Sequence, residues 1–175
     1  MGRHVLTFIS GGARSGKSDW AEQFVLTQKE HPVYLATARV TDAEMESRIT
    51  KHREDRNSRF QLTEEPVNLL DVLPEQGAVL LDCLTIWTAN LLYQEHYSEQ
   101  QVADALEAFL DEARRRELLL TIVSNDVNEA VLPDSVEVHR YVKVLEAGHR
   151  LLAKRADNVY QLQAGIPVCW KGKSL

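Results

Sequence analysis

The chain has 175 residues, 44% hydrophobic and 26% charged, and its 20 Lys and Arg against 26 Asp and Glu leave a formal net charge of −6. That is one domain's worth of chain, long enough to bury a core without a metal or disulfide staple, and its acidity excludes general nucleic-acid binding, which needs a basic face. The longest uncharged run, Asn158 to Trp170, is well short of the ~18 apolar residues of a membrane span, Val5–Ile9 is too short for a signal peptide, and Cys83 and Cys169 lack framework or metal-site spacing; the expectation is a single cytoplasmic domain over residues 1–175.

The apolar run His4–Ser10 predicts a strand that ends at Gly11-Gly12, and a helix follows over Lys17–Gln28 with Trp20, Ala21, Phe24 and Val25 at spacings of three and four. His31-Pro32 breaks that helix before a buried strand, Val33–Thr37. Thr41 or Asp42 caps a predicted helix running to about Arg59, with Met45 and Ile49 as its apolar stripe. Pro66 opens a short helix that Pro74 closes, and Ala78–Asp82 reads as a strand ending in a carboxylate. Helices are expected at Thr85–His96 and at Ser98–Glu117, the second capped by Ser98, followed by a strand, Leu118–Ser124. A loop carrying Pro133 leads to a helix over Val136–Arg155, and Val159–Gln163 with Val168–Trp170 predict a closing hairpin around Gly165-Ile166-Pro167. Strands apolar on both faces, each followed by a helix, predict an α/β fold with a mainly parallel sheet covered on both sides.

Gly11-Gly12-Ala13-Arg14-Ser15-Gly16-Lys17-Ser18 matches G-x-x-x-x-G-K-[ST] between a predicted strand and a predicted helix. Glycines let successive N–H groups curl around a phosphate, and the helix N-terminus adds the positive end of its dipole. Lys17 is placed to reach β- and γ-phosphates and the Ser18 hydroxyl to ligate Mg²⁺. Lys17 is expected to stand exposed in the loop. Asp82 sits where such proteins place a second Mg²⁺ contact, often through water. Ligands of open α/β sheets bind at the carboxyl ends of the strands, which gathers Thr37, Asp82 and Ser124 at one rim.

Arg48, His52 and Arg56 recur every four residues, so they share one helix face, with Arg53 at its border. Two readings stand for this face. Guanidiniums around an imidazole keep it neutral and hold a polyphosphate, as a phosphate-attacking histidine requires; alternatively the face is solvated and carries only local ion pairs. His4, His31, His96, His139 and His149 show no ligand spacing and read as core or surface residues. Arg114-Arg115-Arg116 reads as a solvated helix terminus that complements the macrodipole.

Four ordered blocks now bear on identity: Gly11–Ser18, Tyr-Leu-Ala-Thr-Ala at Tyr34–Ala38, Asp-x-Glu-Met-x-x-Arg-Ile-x-x-His at Asp42–His52, and Leu-Asp-Cys-Leu-Thr-Ile-Trp-Thr-Ala-Asn at Leu81–Asn90. Together they resemble the bifunctional adenosylcobinamide kinase/adenosylcobinamide-phosphate guanylyltransferase family of cobalamin biosynthesis. The resemblance implies a RecA-like P-loop fold, usually a homo-oligomer, and two reactions. A nucleoside triphosphate, GTP or ATP, phosphorylates the aminopropanol hydroxyl of adenosylcobinamide. A histidine then takes GMP from GTP and passes it to adenosylcobinamide phosphate. His52 falls on the guanylylated histidine, and Ala36, Thr37, Ala38, Arg53, Glu54, Asp55, Arg56, Glu64 and Asp82 fall on nucleotide-contact positions.

The chain departs from the family pattern in places. Asn57 stands for a usual proline, Phe60 for tryptophan and Leu62 for threonine. Ser124–Pro133 keeps the frame of Asn-Glu-Val-Gly-x-Gly-Ile-Val-Pro with Asn128 and Ala130 in place of its glycines, and Glu146–Arg150 stands for Gly-x-x-Asn-Gln. The alternatives are an enzyme of the same lineage with one of the two activities or another hydroxyl substrate, and a non-catalytic nucleotide-binding switch.

Overall fold

A computed structural model describes residues 3–39, 58–127 and 134–173. Its sheet has seven strands: β1 (Val5–Gly11), β2 (Val33–Ala36), β3 (Gln61–Glu64), β4 (Ala78–Asp82), β5 (Leu119–Asn125), β6 (Asn158–Gln163) and β7 (Ile166–Lys171), in the spatial order β3-β2-β4-β5-β1-β6-β7. All neighbours pair in parallel except β6 and β7, which form an antiparallel hairpin. The central strands β4 and β5 are apolar on both faces because helices cover both.

Helix α1 (Lys17–Gln28) buries Ala21 and Val25 against Ile9, Leu80, Val123 and Tyr160 on one face. On the other face lie α2 (Leu84–Ala89), α3 (Glu99–Arg115) and α4 (Val136–Arg155), whose Trp87, Leu106, Phe109, Leu145 and Leu152 pack on Phe8, Leu35, Leu81 and Ile122. In α3 the buried set Val102, Leu106, Phe109, Leu110 and Ala113 recurs at spacings of three and four, as a one-faced helix must. Its start is fixed by a capping box. Ser98 Oγ accepts from Gln101 N at 3.1 Å, and Gln101 Oε1 accepts from Ser98 N at 2.8 Å.

Several sequence-based boundaries change. β3 had no periodic signal, since Leu62 is its one apolar residue; it forms as an edge strand on β2, opened by the Gln61 N–H to the Pro32 carbonyl at 2.9 Å. The helix expected over Thr85–His96 is α-helical only to Ala89 and then widens into a π turn, Asn90–Gln94. The Asn90 side chain is the reason: buried, its Nδ2 donates to the Thr37 carbonyl at 2.9 Å and the Pro66 carbonyl at 3.0 Å. Between Pro66 and Pro74 only a 3₁₀ turn forms, Leu69–Val72. The hairpin turns at Ala164 and Gly165, with φ of 49° and 78°, so Ile166 and Pro167 belong to β7 rather than to the turn. Ser58 and Arg59 lie in a turn, and the helix expected before them falls outside the described residues. Arg116 is not merely solvated: it donates to the Leu73 carbonyl at 2.6 Å and pairs with Glu112 at 2.6 Å, tying α3 to the loop before β4.

Candidate nucleotide-binding site

β1 stops at Gly11 and α1 starts at Lys17, and the loop between them is shaped by two close constraints. Gly16 has φ +82°, a left-handed conformation that favours glycine, and its carbonyl accepts the Trp20 N–H at 3.0 Å to start the helix. At Gly11 an added Cβ would stand 2.5 Å from Ser15 Oγ and 3.0 Å from the Leu162 carbonyl oxygen, so a side chain there would push Ser15 and the end of β6 out of place. The β6–β7 turn backs the loop, with the Gly165 N–H donating to the Ser15 carbonyl at 2.8 Å. Inside the curl the Ser15 hydroxyl is buried without a hydrogen-bond partner. Contrary to expectation Lys17 is only 8% exposed, because its ammonium folds back to the Gly12 carbonyl at 3.0 Å. An orphaned hydroxyl and a lysine borrowing a backbone acceptor are what a cradle built for anionic oxygens would leave.

The acidic residue lies two strands away. Asp82 ends β4 in register with Ala36 of β2, and Ala36 is in register with Glu64 of β3, so three strand ends meet at one rim. The Tyr34 hydroxyl donates to Asp82 Oδ2, and the buried Tyr34 ring is itself held edge-on by Phe60 at 5.6 Å. Thr37 is fully buried and its hydroxyl is committed to the Cys83 peptide, donating to the carbonyl at 2.8 Å and accepting from the N–H at 3.0 Å. Its side chain is therefore a clamp between the ends of β2 and β4. Burial, then the Asp82 charge, pushes the Cys83 thiol up to about 11, leaving it a neutral packing group.

On the other side of the cradle β5 sets Ser124 beside Ser10 and Asn125 beside Gly11, and the Asp126 N–H donates to the Gly11 carbonyl at 2.9 Å. Asp126 Oδ2 accepts from Gln161 Nε2 at 2.8 Å. Beneath, the Asn125 N–H donates to Thr85 Oγ1 at 2.8 Å, Thr85 Oγ1 lies 3.1 Å from Ser124 Oγ, and Ser124 Oγ lies 2.6 Å from His149 Nε2. The His149 ring also packs on Phe8 at 5.2 Å between centroids. Burial holds its proton affinity below that of an ordinary histidine, outweighing Asp126 and Glu146, which act the other way.

The strand ends thus bring the Gly11–Ser18 loop, Ala36, Thr37, Ala38, Glu64, Asp82 and Ser124 to one end of the sheet. Arg48, His52, Arg53, Glu54, Asp55 and Arg56 lie outside the described residues. Sequence reasoning missed Tyr34 as the residue that aims Asp82; a phenol alone in an aliphatic strand was the available signal. It also passed over Asn90 and His149, whose roles depend on contacts with distant segments.

Parallel strands, a glycine-bounded loop between the first strand and its helix, and an aspartate at a strand end two places along the sheet define a RecA-like P-loop nucleotide-binding fold. Solved structures agree on the fold. The flagellar accessory protein FlaH from Methanocaldococcus jannaschii superposes with a TM-score of 0.56 at 14% identity, over 99% of this chain and 80% of FlaH. A KaiC-like protein from Pyrococcus horikoshii gives 0.55 at 12% identity, over 97% of this chain and 80% of that one. Within that fold, the chain belongs to the CobU family, cobinamide kinase / cobinamide phosphate guanyltransferase, which matches over residues 7–170. The bifunctional adenosylcobalamin biosynthesis protein CobP of Pseudomonas aeruginosa is 36% identical over 95% of this chain and 98% of its own length. The CobU protein of Salmonella typhimurium is 27% identical over 94% and 98%.

Proposed function

We propose that the chain is a bifunctional enzyme of cobalamin biosynthesis that phosphorylates adenosylcobinamide and then converts the phosphate to adenosylcobinamide-GDP. The observation that carries this is the loop at Gly11–Ser18, with its orphaned Ser15 hydroxyl and inward Lys17, in a chain whose family match spans residues 7–170. Lys17 turns from the Gly12 carbonyl to the phosphates of GTP or ATP, and the loop N–H groups hold their oxygens. In the kinase step the aminopropanol hydroxyl oxygen attacks the γ-phosphorus and releases its proton to solvent, the bond to the β–γ bridging oxygen breaks, and the nucleoside diphosphate leaves. Ser18 and the Tyr34-held Asp82 would supply the hard oxygen donors that Mg²⁺ takes. That ion, when bound, neutralises phosphate charge.

In the guanylyl step a neutral His52 nitrogen attacks the α-phosphorus of GTP and pyrophosphate leaves. A phosphate oxygen of adenosylcobinamide phosphate then displaces the histidine and takes the GMP. Arg53, Glu54, Asp55 and Arg56 beside His52, with Ala36, Ala38 and Glu64 at the rim, contact the nucleotide, while Thr37, buried with its hydroxyl, N–H and carbonyl all bonded within the protein, acts by holding the rim in place. The enzyme works in the cytoplasm as a homo-oligomer. The test is incubation with α-labelled GTP and denaturing electrophoresis. An acid-labile, alkali-stable label is expected, absent in His52→Ala, which keeps its kinase activity. A label that persists in His52→Ala, or maps to another residue, overturns the histidine mechanism. A labelled protein that makes no cobinamide phosphate supports a chain with the transferase activity alone.

A further inference from the structure

His149 has no part in either reaction, yet it is mostly buried directly beneath the junction of β5 and the cradle. Thr85 Oγ1 accepts the Asn125 N–H, and with an unprotonated Nε2 at the far end the Thr85 hydroxyl donates to Ser124 Oγ and the Ser124 hydroxyl to His149 Nε2, so every proton of the relay has an acceptor within it. Ser124 is fully buried and Thr85 is 8% exposed, so neither hydroxyl has water to fall back on. The end of the chain, Asn125, is the register partner of Gly11, and the next N–H, that of Asp126, bonds the Gly11 carbonyl.

We propose that His149 is a positioning residue for triphosphate binding: by accepting from Ser124 it holds the Ser124–Thr85 pair that fixes the Asn125 peptide against the first residue of the cradle. This rests on Gly11–Ser18 being the nucleotide cradle. A proton on Nε2 would turn the Ser124 hydroxyl round to Thr85, whose second lone pair takes it, and the Thr85 proton would have to leave Ser124 for the neighbouring Cys83 sulfur, reorienting the group that holds the Asn125 N–H. The groups facing the ring are few. β1 presents Phe8 and α2 presents Thr85, neither of which titrates; beyond β5 stands Asp126, and on α4 itself Glu146. Cys83 is held neutral by burial, as is Tyr141, whose hydroxyl donates to the Thr85 carbonyl at 3.0 Å.

The test uses guanosine α,β-methylene triphosphate, which cannot be cleaved at the α-phosphate, titrated calorimetrically into the full chain between about pH 5 and pH 8. The unaltered protein should lose affinity as pH falls through the titration of His149. His149→Gln, an acceptor that does not titrate, should bind normally near pH 8 and lose the His149 part of that acid limb. His149→Phe should bind about tenfold more weakly throughout, the usual effect of losing one buried acceptor. Should that variant not fold, nitrogen-edited NMR of the imidazole decides. Bound triphosphate acting only through its negative charge would raise the His149 pKa, whereas the positioning role requires it to fall, since binding selects the neutral ring. A rise, an acid limb unchanged in His149→Gln, or full affinity in folded His149→Phe overturns the proposal. Lys17→Ala separates the two readings: it should lose binding at every pH, and normal binding by it overturns the cradle itself.

Discussion

The Tyr34 hydroxyl holds Asp82 Oδ2 at the end of β4, the restraint that a carboxylate serving a cation would need. Asp82→Asn keeps the shape and removes the charge, so nucleotide binding measured with Mg²⁺ should weaken by about 10- to 100-fold and binding without the ion far less. Tyr34→Phe keeps the charge but loses the aim, and should show a smaller, still Mg²⁺-dependent loss. Paired titrations with and without the ion check both, and equal losses in the two would reduce Asp82 to a strand-end turn residue. Lys17 teaches a related lesson. The motif puts it at the start of α1, but an ammonium beside a curled backbone finds the Gly12 carbonyl, so spacing alone misjudged its exposure.

Among the elements, those whose formation is local were legible before the structure. α1 runs over its expected span, and α3 carries both its expected cap and its apolar stripe. The cap yields a clean prediction. Ser98→Ala should lower stability by ~1 kcal/mol, because it leaves the Gln101 N–H without its partner. Urea unfolding should show a lower midpoint at unchanged slope. What escaped the sequence depends on partners far along the chain. β3 is a strand because β2 offers an edge, the π turn exists because Asn90 ties Thr37 to Pro66, and Arg116 is fixed by Leu73 rather than by its own helix. The same applies to the candidate site: the Gly11–Ser18 loop and the position of Asp82 were readable as motif and strand end, whereas the Thr85–Ser124–His149 contacts unite three elements that no spacing connects.

For the whole molecule, these charges set a pH profile of stability. His4 and His149 are both held below the ordinary histidine range, chiefly by burial. Above ~6.5 neither is protonated in the folded or the unfolded chain; below it the unfolded chain takes up protons that the folded chain refuses. Stability should therefore be flat above neutrality and fall on acidification, with part of the fall abolished in His149→Gln. A second decline belongs to Glu112, drawn down to about 2 by its hydrogen bonds to Arg115 and Arg116. Its contribution is present above the ordinary carboxylate range and lost as pH falls toward about 2, and, since the pair still reaches solvent, it should be screened by salt. Urea midpoints across pH at low and high salt separate the two.

The contact between the Gly165 N–H and the Ser15 carbonyl also constrains when the protein becomes competent during its own synthesis. β1 is made early, but the strands that flank it, β5 and β6, and the turn that backs the cradle are all translated much later. A nascent chain therefore emerges from the ribosome with its phosphate motif complete and its cradle unformed. Neither the β1–β6 pairing nor the Gly165 support can act until the β6–β7 hairpin has left the exit tunnel. The Gly11–Ser18 loop is thus synthesised well before the segments that flank and back it.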